Sequence, residues 1–260
     1  MAQTVTTVQL KPETLGAFEA YIGHAEAEMQ PALSGSGLFL WSDAAPKRSE
    51  EVRQGKILAE IWLGKGPVKV PGGLIHDWIG AAFAPGAAIR EAVALLQDYD
   101  NHKNVYKPEV IRSKVIGRQG NDFQVYLRLL KKKIITVVID TDHSVHYEAL
   151  SPTRWTCRSY STRICEVEDA GKPNEKVLPA DAGFGFLWRL DSYWRFEERD
   201  GGVFLECRAI SLTRDIPKGL AWIIDPIVGK LPKESLVNTL KATRQGLAAR
   251  PTPASPAAGV

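Results

Sequence analysis

From Glu109 to Asp215 the sequence is almost wholly strand and turn, and this constrains the fold more than any other feature. Phe123, Val125, Leu127 and Leu129 alternate with Gln124, Tyr126 and Arg128, the period of two expected of a strand with one buried face. Val110 to Ile116 reads as the strand before it, ended by the turn cluster Gly117 to Asp122. Ile134 to Ile139 starts a return strand, and Thr153 to Val167 is a further long one. After a loop from Gly171 to Gly185, Phe186, Trp188, Leu190, Ser192, Trp194 and Phe196 share one face, while Arg189, Asp191, Arg195 and Glu197 share the other. Arg199-Asp200-Gly201-Gly202 is a hairpin turn, and Val203, Leu205, Cys207, Ala209 and Ser211 continue one face beyond it.

Helices flank this block. Pro12 to Leu33 carries Leu15, Phe18, Ile22, Ala25, Met29 and Leu33 at helical spacing, with Pro12 suited to the first turn. Ser42 to Gly55 is polar and reads as loop. Lys56 to Leu63 and Leu74 to Phe83 are strand-like, and Ala87 to Asp98 is helical. Asp215 is a good N-cap; helix is expected from Lys218 to Gly229 and again from Pro232 to Leu247, with Leu236, Leu240, Thr243 and Leu247 on one side. The expected organisation is an N-terminal helical extension (1–55), a main domain (56–247) and a disordered, proline-bearing tail (248–260).

The fold class is therefore α+β. A curved antiparallel sheet must bury its apolar face, and the largest partner available is the amphipathic C-terminal helix. A sheet wrapped round one helix leaves a space between them, where apolar ligands lodge.

Three segments resemble the C-terminal half of START-like proteins: Arg189 to Phe196, Leu205-Glu206-Cys207, and Thr213 to Pro217 with Pro232 to Leu236. Leu96 to His102 is similar to that superfamily's first-helix exit. The superfamily includes polyketide cyclases, aromatases and lipid-transfer domains. The resemblance spans about Gly73 to Leu247 and implies a helix-grip fold with an internal cavity. The N-terminal helix is similar to an extension in a bacterial subgroup. None of the matched segments is a catalytic motif, so the resemblance speaks to fold rather than chemistry.

Candidate ligand-binding residues follow from strand and helix faces: Val125, Leu127, Trp188 and Trp194 on apolar strand faces, Trp78, Trp155 and Trp222 in neighbouring elements, and Leu236 and Leu240 on the last helix. His76 and His143 are polar anchors for a ligand hydroxyl or carboxylate, or an acid–base pair; a satisfied structural histidine is the commoner alternative. The ladder of Arg189, Asp191, Arg195 and Glu197 reads as solvent-facing ion pairing with Glu206 and Arg208, or less simply as an anion site. Lys131-Lys132-Lys133 reads as a solvated turn that could also touch an anionic membrane during delivery. The loop 171–185 and the helix 218–229 are candidate gates.

Other classes are disfavoured. Thirty-three basic and 30 acidic residues leave a net charge of +3, too balanced for an electrostatic nucleic-acid binder. No apolar run reaches the ~20 residues that span a bilayer. Cys157, Cys165 and Cys207 lack metal spacing, and His143 and His146 fall on opposite strand faces. Phosphate-loop, GxSxG and HExxH motifs are missing from the sequence. As given, the chain reads as soluble and cytoplasmic; removal of a leader would make it periplasmic or secreted. No catalytic residue, cofactor, metal or protein partner is assigned. The expected role is carriage or sensing of a lipid, sterol or polyketide-like molecule; a cyclase-type enzyme and a ligand-free interaction domain are the alternatives.

Overall fold

The computed structural model describes residues 7–132, 135–215 and 231–249. Helix α1 (Pro12–Leu33) begins at the expected proline, and Phe18, Ile22, Ala25 and Met29 form its buried stripe. Ser42 to Gly55 departs from the loop expected of it, because α2 (Pro46–Arg53) forms there. Pro46 at its first turn supplies a fixed φ, and Val52 anchors it in the interior.

Among the described residues ten strands make one antiparallel sheet. They are β2 (Leu58–Ile61), β3 (Val68–Val70), β4 (Gly73–Pro85), β5 (Val110–Gln119), β6 (Asp122–Lys132), β7 (Thr136–Ser151), β8 (Arg154–Glu168), β9 (Lys176–Val177), β11 (Arg189–Arg199) and β12 (Gly202–Arg214). The order is β2-β4-β12-β11-β8-β7-β6-β5, with β3 also on β4 and β9 on β8. A separate two-stranded pair joins β1 (Val8–Gln9) to β10 (Ala182–Gly183), so the loop 171–185 is tied at both β9 and β10. Asp200 and Gly201 both take positive φ, 55° and 74°, as a two-residue primed hairpin turn requires.

Helix α3 (Ile89–Gln97), the short α4 (His102–Val105) and α5 (Leu231–Ala248) lie on the concave side of the sheet. There α3 and α5 enclose a core with Phe123, Val145, Tyr147, Phe196 and Leu205. Gly80 permits the close approach of α5: a Cβ there would meet Leu240 Cδ1 at 2.8 Å. Burying side chains such as Leu240 and Leu205 contributes roughly 1.5–3 kcal/mol each.

The convex side is covered as well. α1 packs Phe18, Ile22 and Met29 against Ile75, Ile210 and Leu212. The segment around α2 places Phe39, Leu40 and Val52 on Ala81, Phe83 and Phe204. Between these two apolar patches lies a layer of buried charge, which overturns the solvent-facing reading of the ladder. Asp191, Arg195, Glu197, Glu206 and Arg208 are all buried. Arg208 grips Asp77 through Nε (3.0 Å) and Nη2 (2.6 Å), reaches Glu28 of α1 at 3.3 Å and stacks on Trp62. Glu206 accepts the backbone N–H groups of Trp41 and Ser42, both at 2.7 Å, and Arg195 donates to the Phe39 carbonyl. The partners of Arg195, Glu206 and Arg208 lie in the N-terminal segment and at Trp62 and Asp77, far away in sequence, while Glu197 pairs with Arg154 and Arg199. Alternation alone therefore reads as a wet face.

Candidate functional site

A cavity of about 540 Å³ lies between the concave face of the sheet, α5 and the segment from Leu96 to Val110. Its walls are mostly apolar, with Val125, Leu127 and Leu129 from β6, Ile139 and Val145 from β7, and Trp194 from β11. Strand parity explains the set. Val125 pairs with His143, Tyr147 with Cys157, Cys157 with Trp194, and Trp194 with Cys207, all residues directed to the concave side.

Of the eleven residues expected at the ligand, Val125, Leu127, His143, Trp194 and Leu236 line this cavity. His76, Trp78, Trp155 and Leu240 lie on the concave side but outside the lining. Leu240 is pressed onto β4 at Gly80 and fully buried, and Trp78 packs against the core with Lys233 over its ring. Trp155 stands opposite Phe196, on the α3 side of the core. His76 is one side chain removed from the cavity: its Nε2 lies 3.1 Å from Oγ1 of Thr213, which does line it. Trp188 is a correction, since it packs on the convex side with α1. It lies in the irregular stretch 184–188, before β11 begins, so the period of two read from Phe186 onward does not hold at this position. Trp222 and the expected helix 218–229 lie outside the described residues, as does Lys133; Lys131 and Lys132 end β6 rather than forming a turn.

His143 is held by a directional relay. Thr141 Oγ1 donates to the Leu127 carbonyl at 3.2 Å, so it accepts from His143 Nε2 at 3.0 Å. That leaves the Nδ1 lone pair facing Ser159 Oγ at 3.5 Å. Burial lowers His143 to about 4, so the imidazole is neutral at pH 7. His76 uses the same device with Thr213, whose hydroxyl donates to the Arg214 carbonyl, and burial lowers it also to about 4.

Sequence reasoning missed Tyr99, His102 and Tyr106, which enter from the segment after α3. Tyr99 and Tyr147 share a 2.7 Å hydroxyl contact, and Tyr106 meets Thr243 of α5 at 3.1 Å. Tyr99 and His102 fall within the stretch Leu96 to His102 that carries the resemblance and Tyr106 lies beyond it, but no periodicity marks a short irregular segment as wall. Burial raises the Cys157 thiol to about 12 and holds Cys207 well above its ordinary value, so both wall cysteines stay protonated. Among the described residues no cluster of three potential metal ligands occurs, and no helix is long and apolar enough to cross a membrane.

A curved antiparallel sheet closed on a C-terminal helix, with a cavity between them, is the helix-grip fold. No protein-family model and no curated protein sequence matches it. Solved structures similar in fold include a STAR-related lipid transfer protein from Xanthomonas axonopodis, 19% identical over 71% of this chain and 98% of its own, with a TM-score of 0.46. Human STARD10 is 10% identical over 73% of each chain, TM-score 0.46. The Zhui aromatase/cyclase from a Streptomyces species is 8% identical over 68% of this chain and 95% of its own, TM-score 0.46.

Proposed function

We propose that the chain binds a hydrophobic small molecule (a lipid, sterol or polyketide-like compound) in the cavity between sheet and α5, and carries or senses it. The cavity itself carries this reading. Its volume of about 540 Å³ falls in the ~300–1,000 Å³ range of small-molecule sites. Its walls combine many apolar side chains with a few placed polar groups, the usual composition of such sites. A filled interior, as a pure interaction domain would have, gives no reason for it.

Acid–base catalysis by His76 and His143 would need both imidazoles at the ligand, and only His143 lines the cavity. Carriage or sensing is therefore preferred. Native mass spectrometry of the protein as purified, followed by denaturing extraction, tests it. A retained apolar mass supports the reading. An empty protein that also takes up nothing from a broad panel of lipids, sterols and aromatic polyketides overturns it.

A further inference from the structure

The polar groups of the cavity are ordered across the sheet. His143 stands opposite Ser161, Leu190 opposite Ser211, and Ser211 opposite His76, in one row across the concave face. In the adjoining row Val145 stands opposite Ser159, and Ser159 opposite Ser192. Each of these groups is neutral: hydroxyls, and two imidazoles that burial holds at about 4.

The row is not uniformly engaged. Ser161 Oγ is taken by the Leu190 N–H, and His76 by Thr213. Ser192 and Ser211 line the cavity with no hydrogen-bond partner among the described residues. Ser159 has only its 3.5 Å approach to His143 Nδ1, at the long limit of a hydrogen bond. Three hydroxyls and one imidazole lone pair thus remain for something inside the cavity.

Among the described residues formal charge is confined to the rim. Lys107, Glu109, Lys131 and Lys241 are the only lining residues, among those described, that carry it. Lys107 and Lys241 are exposed, and Lys131 pairs with Glu109. A carboxylate or phosphate inside would meet no countercharge among the described residues, and burying an unpaired anion is far costlier than burying a hydroxyl that finds a partner.

We propose that the molecule held in the cavity is uncharged and oxygenated, with hydroxyl or carbonyl groups that meet Ser159, Ser192, Ser211 and His143 on the cavity floor. This rests on the ligand-binding reading above and narrows it. Such a ligand can donate to His143 Nδ1, and each serine can both donate and accept. Pure hydrocarbon would leave these hydroxyls without partners.

Three probes that share one fluorescent body separate the possibilities: pyrene, 1-pyrenemethanol and 1-pyrenecarboxylate, titrated at pH 8 into the full chain with energy transfer from tryptophan as readout. 1-Pyrenemethanol is expected to bind about tenfold tighter than pyrene, from one or two hydrogen bonds. It is expected to bind at least about a hundredfold tighter than the carboxylate. Ser192→Ala with Ser211→Ala should remove most of the advantage of the alcohol over pyrene. Each serine is also changed singly, so a double variant that fails to fold leaves two to read.

A carboxylate that binds as tightly as the alcohol overturns the proposal and leaves the cavity reading standing. So does an alcohol advantage that is missing, or that survives the serine changes. If none of the three probes binds, the cavity reading falls with it.

Discussion

Removing Arg208 should unfasten the N-terminal segment from the sheet. Its guanidinium is 1% exposed and holds Asp77, itself 3% exposed, through two nitrogens. In Arg208→Met the Asp77 carboxylate would retain only the Tyr21 hydroxyl, at 2.8 Å, among its side-chain partners. Breaking one side of a buried pair costs about 3–5 kcal/mol, because the remaining charge stays in a low-dielectric site. Loss of the stacking on Trp62 adds about 0.5–2 kcal/mol. With an m-value near 2–3 kcal/mol/M, the urea midpoint should fall by about 1–3.5 M.

Replacing both partners, Arg208→Met with Asp77→Leu, should restore most of that loss, since no unpaired charge remains. Hydrogen exchange supplies the spatial readout: amides of α1 should lose protection in the single variant more than those of β6 and β7. A loss under about 1 kcal/mol would refute this account of the layer. A double variant no more stable than Arg208→Met would refute it as well.

Asp191 gives a pH prediction of definite sign. Burial raises it to about 7, against the opposing pull of Arg158, so folding favours its protonated form. Its contribution is fully present below its unfolded value near 4 and is lost as pH rises through 7, by at most about 4 kcal/mol. Urea midpoints should therefore decline from pH 5.5 to 8.5, and Asp191→Asn should flatten that slope; an unchanged slope rules Asp191 out as its source. Gly80→Ala should lower Tm, at a cost of about 1–3 kcal/mol, because the new methyl meets Leu240 and Leu236 of α5. An unaltered Tm would mean that α5 does not pack this closely. Trp188 Nε1 is buried without a hydrogen-bond partner among the described residues, so Trp188→Phe should cost under about 1 kcal/mol in denaturant unfolding, less than an ordinary buried tryptophan.

The strands were the most legible part of the sequence, because one repeated period marks them. Phe123 to Leu129, the Asp200-Gly201 turn and the alternation from Leu190 to Phe196 all match the structure, as do both ends of α1. The concave face was legible for the same reason. Which of its residues touch the cavity was not, because that depends on where α5 lies: it covers β4 at Gly80 and leaves β6, β7 and β11 open. The convex face misled. Arg195, Glu206 and Arg208 alternate as surface charges do, and only contacts more than 130 residues away in sequence bury them. Trp188 failed because it lies in the irregular stretch before β11 begins at Arg189, where parity carries no information.

The double covering of the central strands also sets an order of events. α1 leaves the ribosome before the sheet it covers, yet Glu28 must find Arg208, 180 residues later, and Trp41 must find Glu206, 165 later. At ~5–20 residues per second that interval is roughly 10–40 s, during which the apolar stripe of α1 has no sheet to cover. Contacts this distant in sequence are slow to form, because loop closure precedes any gain from packing. The outer clamp is thus made before the strands it covers and docks only after them.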